Sequence, residues 1–127
     1  MAKWVHADVL DGGLNAIKTV AVRMFLISAY TAGDSYATVI AAALNAGVVM
    51  ASGDFTLGTS GSNRTLTTAT KSQNANASAG GTPDLHIAFT DGASKVLWVT
   101  DETSNQAITS GNPISFPALV YTNQQPT

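Results

Sequence analysis

The stretch LHIAFTDGASKVLWVT, residues 85–100, constrains the fold more than any other part of the chain. Two runs of strand-forming residues flank Asp91-Gly92, the strongest short turn signal present, and together they predict a β-hairpin. In the first run Leu85, Ile87 and Phe89 alternate with His86, Ala88 and Thr90, so one face is oily and the other small or polar. The second run, Val96-Leu97-Trp98-Val99, is apolar on both faces. A loop of two or four residues sets Val96 and Trp98 opposite the Leu85/Ile87/Phe89 face, with Leu97 and Val99 looking the other way. The second strand is therefore expected to be sandwiched, and the rest of the chain must supply its cover.

At 127 residues the chain suits one domain, 1–127, able to bury roughly two-thirds of its unfolded surface. A net charge of −2 argues against electrostatic capture of nucleic acid or of an anionic membrane. Only 11% of residues are charged, against about 25% in an ordinary soluble domain. Alanine, threonine, serine, asparagine and glycine fill the gap. Such a neutral polar surface costs little to desolvate and suits burial against other subunits; the plainer alternative is a soluble monomer with a threonine-rich surface. With no cysteine there is no disulfide framework and no thiolate metal site. The segment 1–6 (MAKWVH) lacks the apolar core of a secretory signal. The longest apolar run, 20–29, contains Arg23 and is too short to span a bilayer. A start in a cytoplasm is the expectation.

Taken in order, 8–18 predicts a short helix, with Leu10, Leu14 and Ile17 at i, i+4 and i+7 on one face. Asp8 and Asp11 near its start and Lys18 near its end suit the helix dipole. Gly12 and Gly13 weaken it by about 1 kcal/mol each, which close packing against a sheet would offset. VAVRMFLISA (20–29) predicts a central strand, with Val20, Val22, Met24 and Leu26 on one face and Ala21, Arg23, Phe25 and Ile27 on the other. Residues 36–45 suggest an alanine-rich helix ending at Gly47 as its cap. Short strands are expected at 48–50 and 54–57. A flexible loop follows at 58–63, a half-exposed edge strand at 64–72 and a mobile loop at 73–83. After the hairpin come a polar segment (101–105), a short strand (106–109), a turn at Ser110-Gly111-Asn112-Pro113 and a last strand, 114–122. Pro117 in the middle of that strand places it at an edge or a bulge. The whole predicts a mainly β fold, an antiparallel sandwich or barrel of six to eight short strands with one or two short helices.

No residue pattern announces a reaction. G-x-S-x-G, H-E-x-x-H, P-loop and G-x-G-x-x-G motifs are all absent, and no D-x-D-x-D calcium loop occurs. Catalytic, metal and cofactor residues are accordingly expected to be none. A hydrogen-bonded structural imidazole is the expected role of His86, and His6 is read the same way. Asp54, Asp84, Asp91 and Asp101 fit loop-initiating positions at strand ends. Asn63-Arg64-Thr65 and Asn76-Ala77-Ser78 match a glycosylation sequon without a secretory signal before them. Trp98 reads as core. Trp4, beside Lys3 and His6 and outside any periodic segment, reads as an anchor on a partner subunit.

The order of motifs resembles small virion proteins of tailed bacteriophages. The matching stretches are LDGGLNAIK running into a strand that ends ISA, then GDFTL, then the hairpin with KVLWVTD, and last SGNPISFPALVY. Relatives in that group often open the strand after GDFTL with glycine-arginine; here Asn63-Arg64 stands in that place, keeping the arginine alone. The resemblance implies a non-enzymatic structural component, capsid decoration (cement) more than tail. Its partners would be the major capsid protein and copies of itself, in a symmetric oligomer such as a trimer across joints between capsid subunits. Its place would be the virion surface, after assembly in the host cytoplasm. Trp4, Val5, His6 and the Pro117 edge are the candidate contacts. A tail or fibre component is the first alternative. A carbohydrate-binding module stacking sugars on Trp4 or Tyr36 is the second, and a hydrolase a distant last.

Overall fold

The computed structural model describes residues 3–102 and 104–126; Met1 and Ala2 of the N-terminal segment lie outside the described residues, as do Thr103 and Thr127. The first element, α1 (Ala7–Val20), buries Leu10, Leu14 and Ile17, the face that the spacing predicts. His6 begins it: Nδ1 accepts from the Asp8 backbone N–H at 3.1 Å, satisfying one of the unpaired donors of the first turn. At the other end the Lys18 ammonium donates to the Ser52 and Phe55 carbonyls at 2.7 and 2.6 Å. Close packing does not account for the two glycines. A Cβ at Gly12 would meet nothing within 4 Å, and one at Gly13 only the Asn123 side chain at 3.9 Å.

The chain continues through β1 (Arg23–Ile27), α2 (Tyr36–Ala41), β2 (Val48–Val49), a 3-10 turn (Ser52–Asp54), β3 (Phe55–Ser60), β4 (Asn63–Thr68) and β5 (Lys71–Asn74). It closes with β6 (His86–Thr90), β7 (Val96–Asp101), β8 (Pro113–Phe116) and β9 (Val120–Asn123). β2-β1-β6-β7 make one sheet, β3-β4-β9 a second and β5-β8 a short third. Every strand pairing is antiparallel. The fold is thus mainly β and sandwich-like, the class expected. Nine strands are found among the described residues: two stretches expected to be continuous are each divided, and the strand expected at 106–109 does not form.

The main core lies between the first two sheets and α1. Met24, Leu26, Ile87 and Phe89 meet Phe55, Leu66, Leu14 and Ile17 there, and Ile114 and Phe116 close one side. A second cluster, Phe25, Ile27 and Ala88, fills the opposite face of the first sheet under Val39 of α2. β1 is therefore buried on both faces, as its sequence suggests, but Val20 and Val22 are exposed and belong to neither cluster.

The hairpin forms, with a change of face. A bulge between Phe89 and Thr90 leaves Phe89 opposite Trp98 but sets Thr90 opposite Val96. Phe89 and Trp98 stack at 4.8 Å, while Val96 joins Val99 on the α2 side and Leu97 turns to the main core. The extra residue of the bulge shifts the alternation by one, which no reading of period-2 spacing anticipates. The sandwiched strand is β6, between β1 and β7, with Ala88 and Thr90 fully buried; β7 is a half-buried edge. Trp98 also meets Tyr121 edge-on at 5.5 Å, bringing the edge of the first sheet to the edge of the second.

Several loops expected to be loose are ordered. The stretch 58–63 is the end of β3, a two-residue turn and the start of β4, with Gly61 at φ +63° in the first turn position, where a type II′ hairpin turn needs glycine. β4 is the middle strand of its sheet, not a half-exposed edge, and Leu66 is fully buried. Between 73 and 83, Ala75 is buried, its N–H donates to Asn112 O, its carbonyl accepts from Gly111 N, and Asn76 N donates to Leu44 O. Gly47 caps no helix, since α2 stops at Ala41. It lies at φ +106° with its Cα face against the Phe25 ring, while Gln73 Oε1 accepts from its N–H at 3.1 Å.

β4–β5 and β8–β9 form one bent ribbon. Arg64 faces Asn123 and Lys71 faces Phe116, seven residues further on along both strands, so the register runs through the gap without slip. Ala79 faces Ile108 on the same line, and that bridge is all that forms of the strand expected at 106–109. The gap in the ladder falls where the register sets Pro117 opposite Thr70. Proline has no N–H to donate, and the strand expected at 114–122 ends on either side of it.

Candidate functional site

The candidate contacts fall into two places. At the N-terminus Trp4 is 67% exposed and its ring stands edge-on to His6 at 5.8 Å. The residue after it is clasped. Val5 N donates to Gln125 Oε1 at 2.9 Å and Gln125 Nε2 donates back to Val5 O at 3.0 Å. Gln125 is itself held, its N–H donating to Asn63 Oδ1 and its amide to Ser62 O at the β3–β4 turn. Val5 therefore belongs to the fold as an internal brace, not to a free arm. His6 serves as the helix cap described above, a role that needs a bare lone pair on Nδ1. Of the three residues, only Trp4 presents a large apolar surface outward.

A second exposed apolar patch lies on α1. Val9 and Val20 are also exposed, at 64% and 40%. With Gly13 and Ala16, both exposed, they occupy i, i+4, i+7 and i+11 on one side of α1 beside the buried stripe. The stripe has no signal of its own in the sequence, because Leu10, Leu14 and Ile17 already account for the helix.

Pro117 lies elsewhere. It sits on the β8–β9 link and lines a cleft of about 330 Å³ whose walls include Leu85, Ile87, Ile114 and Phe116, with Glu102, Ser104 and Gln106 among the polar lining. Trp4, Val5 and His6 are not among the residues lining it. The volume is at the low end for a small-molecule site, and the polar groups at hand include one carboxylate and no histidine. Nothing in that set assembles a nucleophile with a base.

The charged groups are largely engaged in structure. Asp91 accepts from the N–H groups of Ala93, Ser94 and Lys95 at 2.8–2.9 Å, and these bonds pull its carboxyl pKa down to about 2. Asp54 accepts from Ala51 N, pairs with Lys71 at 2.9 Å, and titrates below the usual carboxylate value for those reasons in that order. Arg64 binds Asp11. His86 rests its ring against Tyr30 at 5.8 Å, with Nδ1 3.1 Å from Asp84 O. The aromatic residues are mostly paired with one another: Trp98 lies on Phe89 and against Tyr121, and Tyr30 against His86. Gln125 carries no sequence signal, because a lone glutamine near a C-terminus has no period or motif to mark it.

Comparison with protein-family models, curated proteins and solved structures finds no match to this chain.

Proposed function

We propose that this chain is a non-enzymatic structural protein of a tailed phage, one that decorates a capsid and stabilises it by binding across joints between capsid subunits. The observation that carries the reading is an exposed indole on a fixed stalk: Trp4 projects from a backbone held at Val5 by Gln125. Preorganising an aromatic anchor removes much of the ordering cost of association. Val9 and Val20 add exposed apolar surface on α1, and only 11% of the whole chain is charged, so little desolvation opposes docking. The order of motifs, which resembles that of small phage virion proteins, points the same way. A cement protein acts by mass action, since contacts present only in the assembled shell stabilise that shell by their binding free energy. Copies of the chain and the major capsid protein are the partners this implies.

The test compares Trp4→Ala with the native protein for thermal unfolding and for cosedimentation with particles that lack the protein. The variant should melt within a degree or two of the native protein, because the indole covers no core, and should lose most of its binding. Undiminished decoration would move the contact to the Pro117 cleft. Imaging of the decorated particle separates head from tail, and density in the tail alone would overturn the decoration reading.

A further inference from the structure

We infer that the cleft lined by Pro117 is the socket for Trp4 of a second copy of this chain, so that copies join head to tail. Each molecule then carries one knob and one hole. The inference rests on the reading of Trp4 as an anchor on a partner, and it names a sister copy as the partner that the indole enters.

The hole reaches the main core. Leu26, Leu85, Ile87 and Phe116 are each no more than 3% exposed, yet all four line it. Apolar side chains that face a void forfeit the dispersion contacts of a filled site. An apolar cavity of about 150 Å³ holds a benzene ring, so a cleft of about 330 Å³ takes the larger indole. Its polar lining suits tryptophan over a plain hydrocarbon. The indole N–H only donates, and Glu102 and Gln106 bring oxygens that accept. Glu102 is held in position: Oε1 accepts from Ser104 N–H at 3.0 Å, and its own N–H donates to Leu85 O at 2.9 Å.

The knob matches the hole and cannot be part of it. Trp4 is the most exposed large apolar side chain among the described residues, and Val5 behind it is clasped by Gln125. Such an anchor enters a pocket with little ordering cost. Knob and hole lie toward opposite ends of the ribbon made by β4–β5 and β8–β9. Gln125 N–H donates to Asn63 Oδ1 at the start of β4, whereas the cleft is lined by residues 113–117, whose strand pairs with β5. Contact between two unlike surfaces repeats from copy to copy and closes where the rotation allows.

The experiment follows the purified chain, without particles, by sedimentation velocity over a range of concentrations. The native chain should form a discrete oligomer. Trp4→Ala should associate at least tenfold more weakly, and so should Ser115→Tyr, which sets a ring at the cleft from an exposed position of β8. An equimolar mixture of the two variants should give dimers of one copy each and nothing larger, because one brings the hole and the other the knob. In Trp98→Phe, Trp4 is the sole tryptophan, and its emission should move to shorter wavelength as the chain associates. Gln106→Tyr, also at an exposed position of the cleft, takes the place of Ser115→Tyr if melting shows that variant unfolded. A native chain that stays monomeric, full association by Trp4→Ala, or a mixture of folded variants without dimers would each overturn the inference. Loss of particle binding by Trp4→Ala beside a monomeric native chain would overturn it and leave the shell-binding reading standing. Association that depends on Trp4 without any particle binding would do the reverse.

Discussion

Arg64 grips Asp11 with two prongs, Nε to Oδ1 at 2.8 Å and Nη2 to Oδ2 at 3.2 Å, across 53 residues of sequence. The pair joins α1 to the middle strand of the three-stranded sheet, and the Asp11 carboxylate, chiefly through that hydrogen bond, holds the Arg64 pKa above its ordinary value. Arg64→Ala should lower the melting temperature by several degrees. Arg64→Lys should recover only part of the loss, since an ammonium cannot fork onto both carboxylate oxygens. Thermal denaturation followed by circular dichroism decides it, and full recovery in the lysine variant would mean that the paired geometry contributes nothing.

Phe89 is the hub of the aromatic packing, stacked on Trp98 at 4.8 Å and edge-on to Phe55 at 6.0 Å. It is fully buried, whereas Trp98 is half-buried on an edge strand. Phe89→Ala should cost about 3–5 kcal/mol and Trp98→Ala less, about 2–3 kcal/mol. Urea unfolding of the two variants gives the order directly. A larger loss at Trp98 would mean that the edge strand, not β6, anchors the core.

Two glycines should respond oppositely to alanine. Gly12 lies inside α1 with open space around it, so Gly12→Ala should stabilise by about 0.5–1 kcal/mol through helix propensity. At Gly47, φ is +106° and a Cβ would stand 2.9 Å from two atoms of the Phe25 ring. Gly47→Ala should cost at least about 2 kcal/mol, from left-handed strain plus overpacking. Chemical denaturation of both variants checks the pair, and a stabilised Gly47→Ala would contradict the packing described around Phe25.

Asp91 has its carboxyl pKa lowered from 3.8 to about 2 by the N–H groups of Lys95, Ser94 and Ala93. A carboxylate depressed in the folded state contributes stability above its unfolded pKa and loses it as pH falls through the folded one. Its share should therefore disappear between about pH 4 and pH 2. Melting temperatures of Asp91→Ala should fall less steeply across that window than those of the native chain. An NMR titration placing the Asp91 pKa near 3.8 would remove the basis for this difference.

Much of the local structure was decided by the sequence alone. The buried stripe of α1 follows from the spacing of Leu10, Leu14 and Ile17, and the doubly apolar run around Phe25 and Leu26 marks a central strand. Asp91-Gly92 turns the hairpin, and the scarcity of helix-length periods sets the β class. These features depend on neighbours within a few residues, where period and turn chemistry are read directly. What only the tertiary structure decided rests on distant partners. The bulge at Phe89/Thr90 moved Val96 to the other face, and the unbroken register from Arg64 to Ala79 turned loops into a ribbon. Val5 became a brace because Gln125 lies 120 residues away in sequence and beside it in space. His86 meets Asp101 for the same reason, through the ladder of a hairpin. A one-residue slip in pairing reverses every side chain beyond it, and the energy that selects the register comes from contacts the linear order does not display.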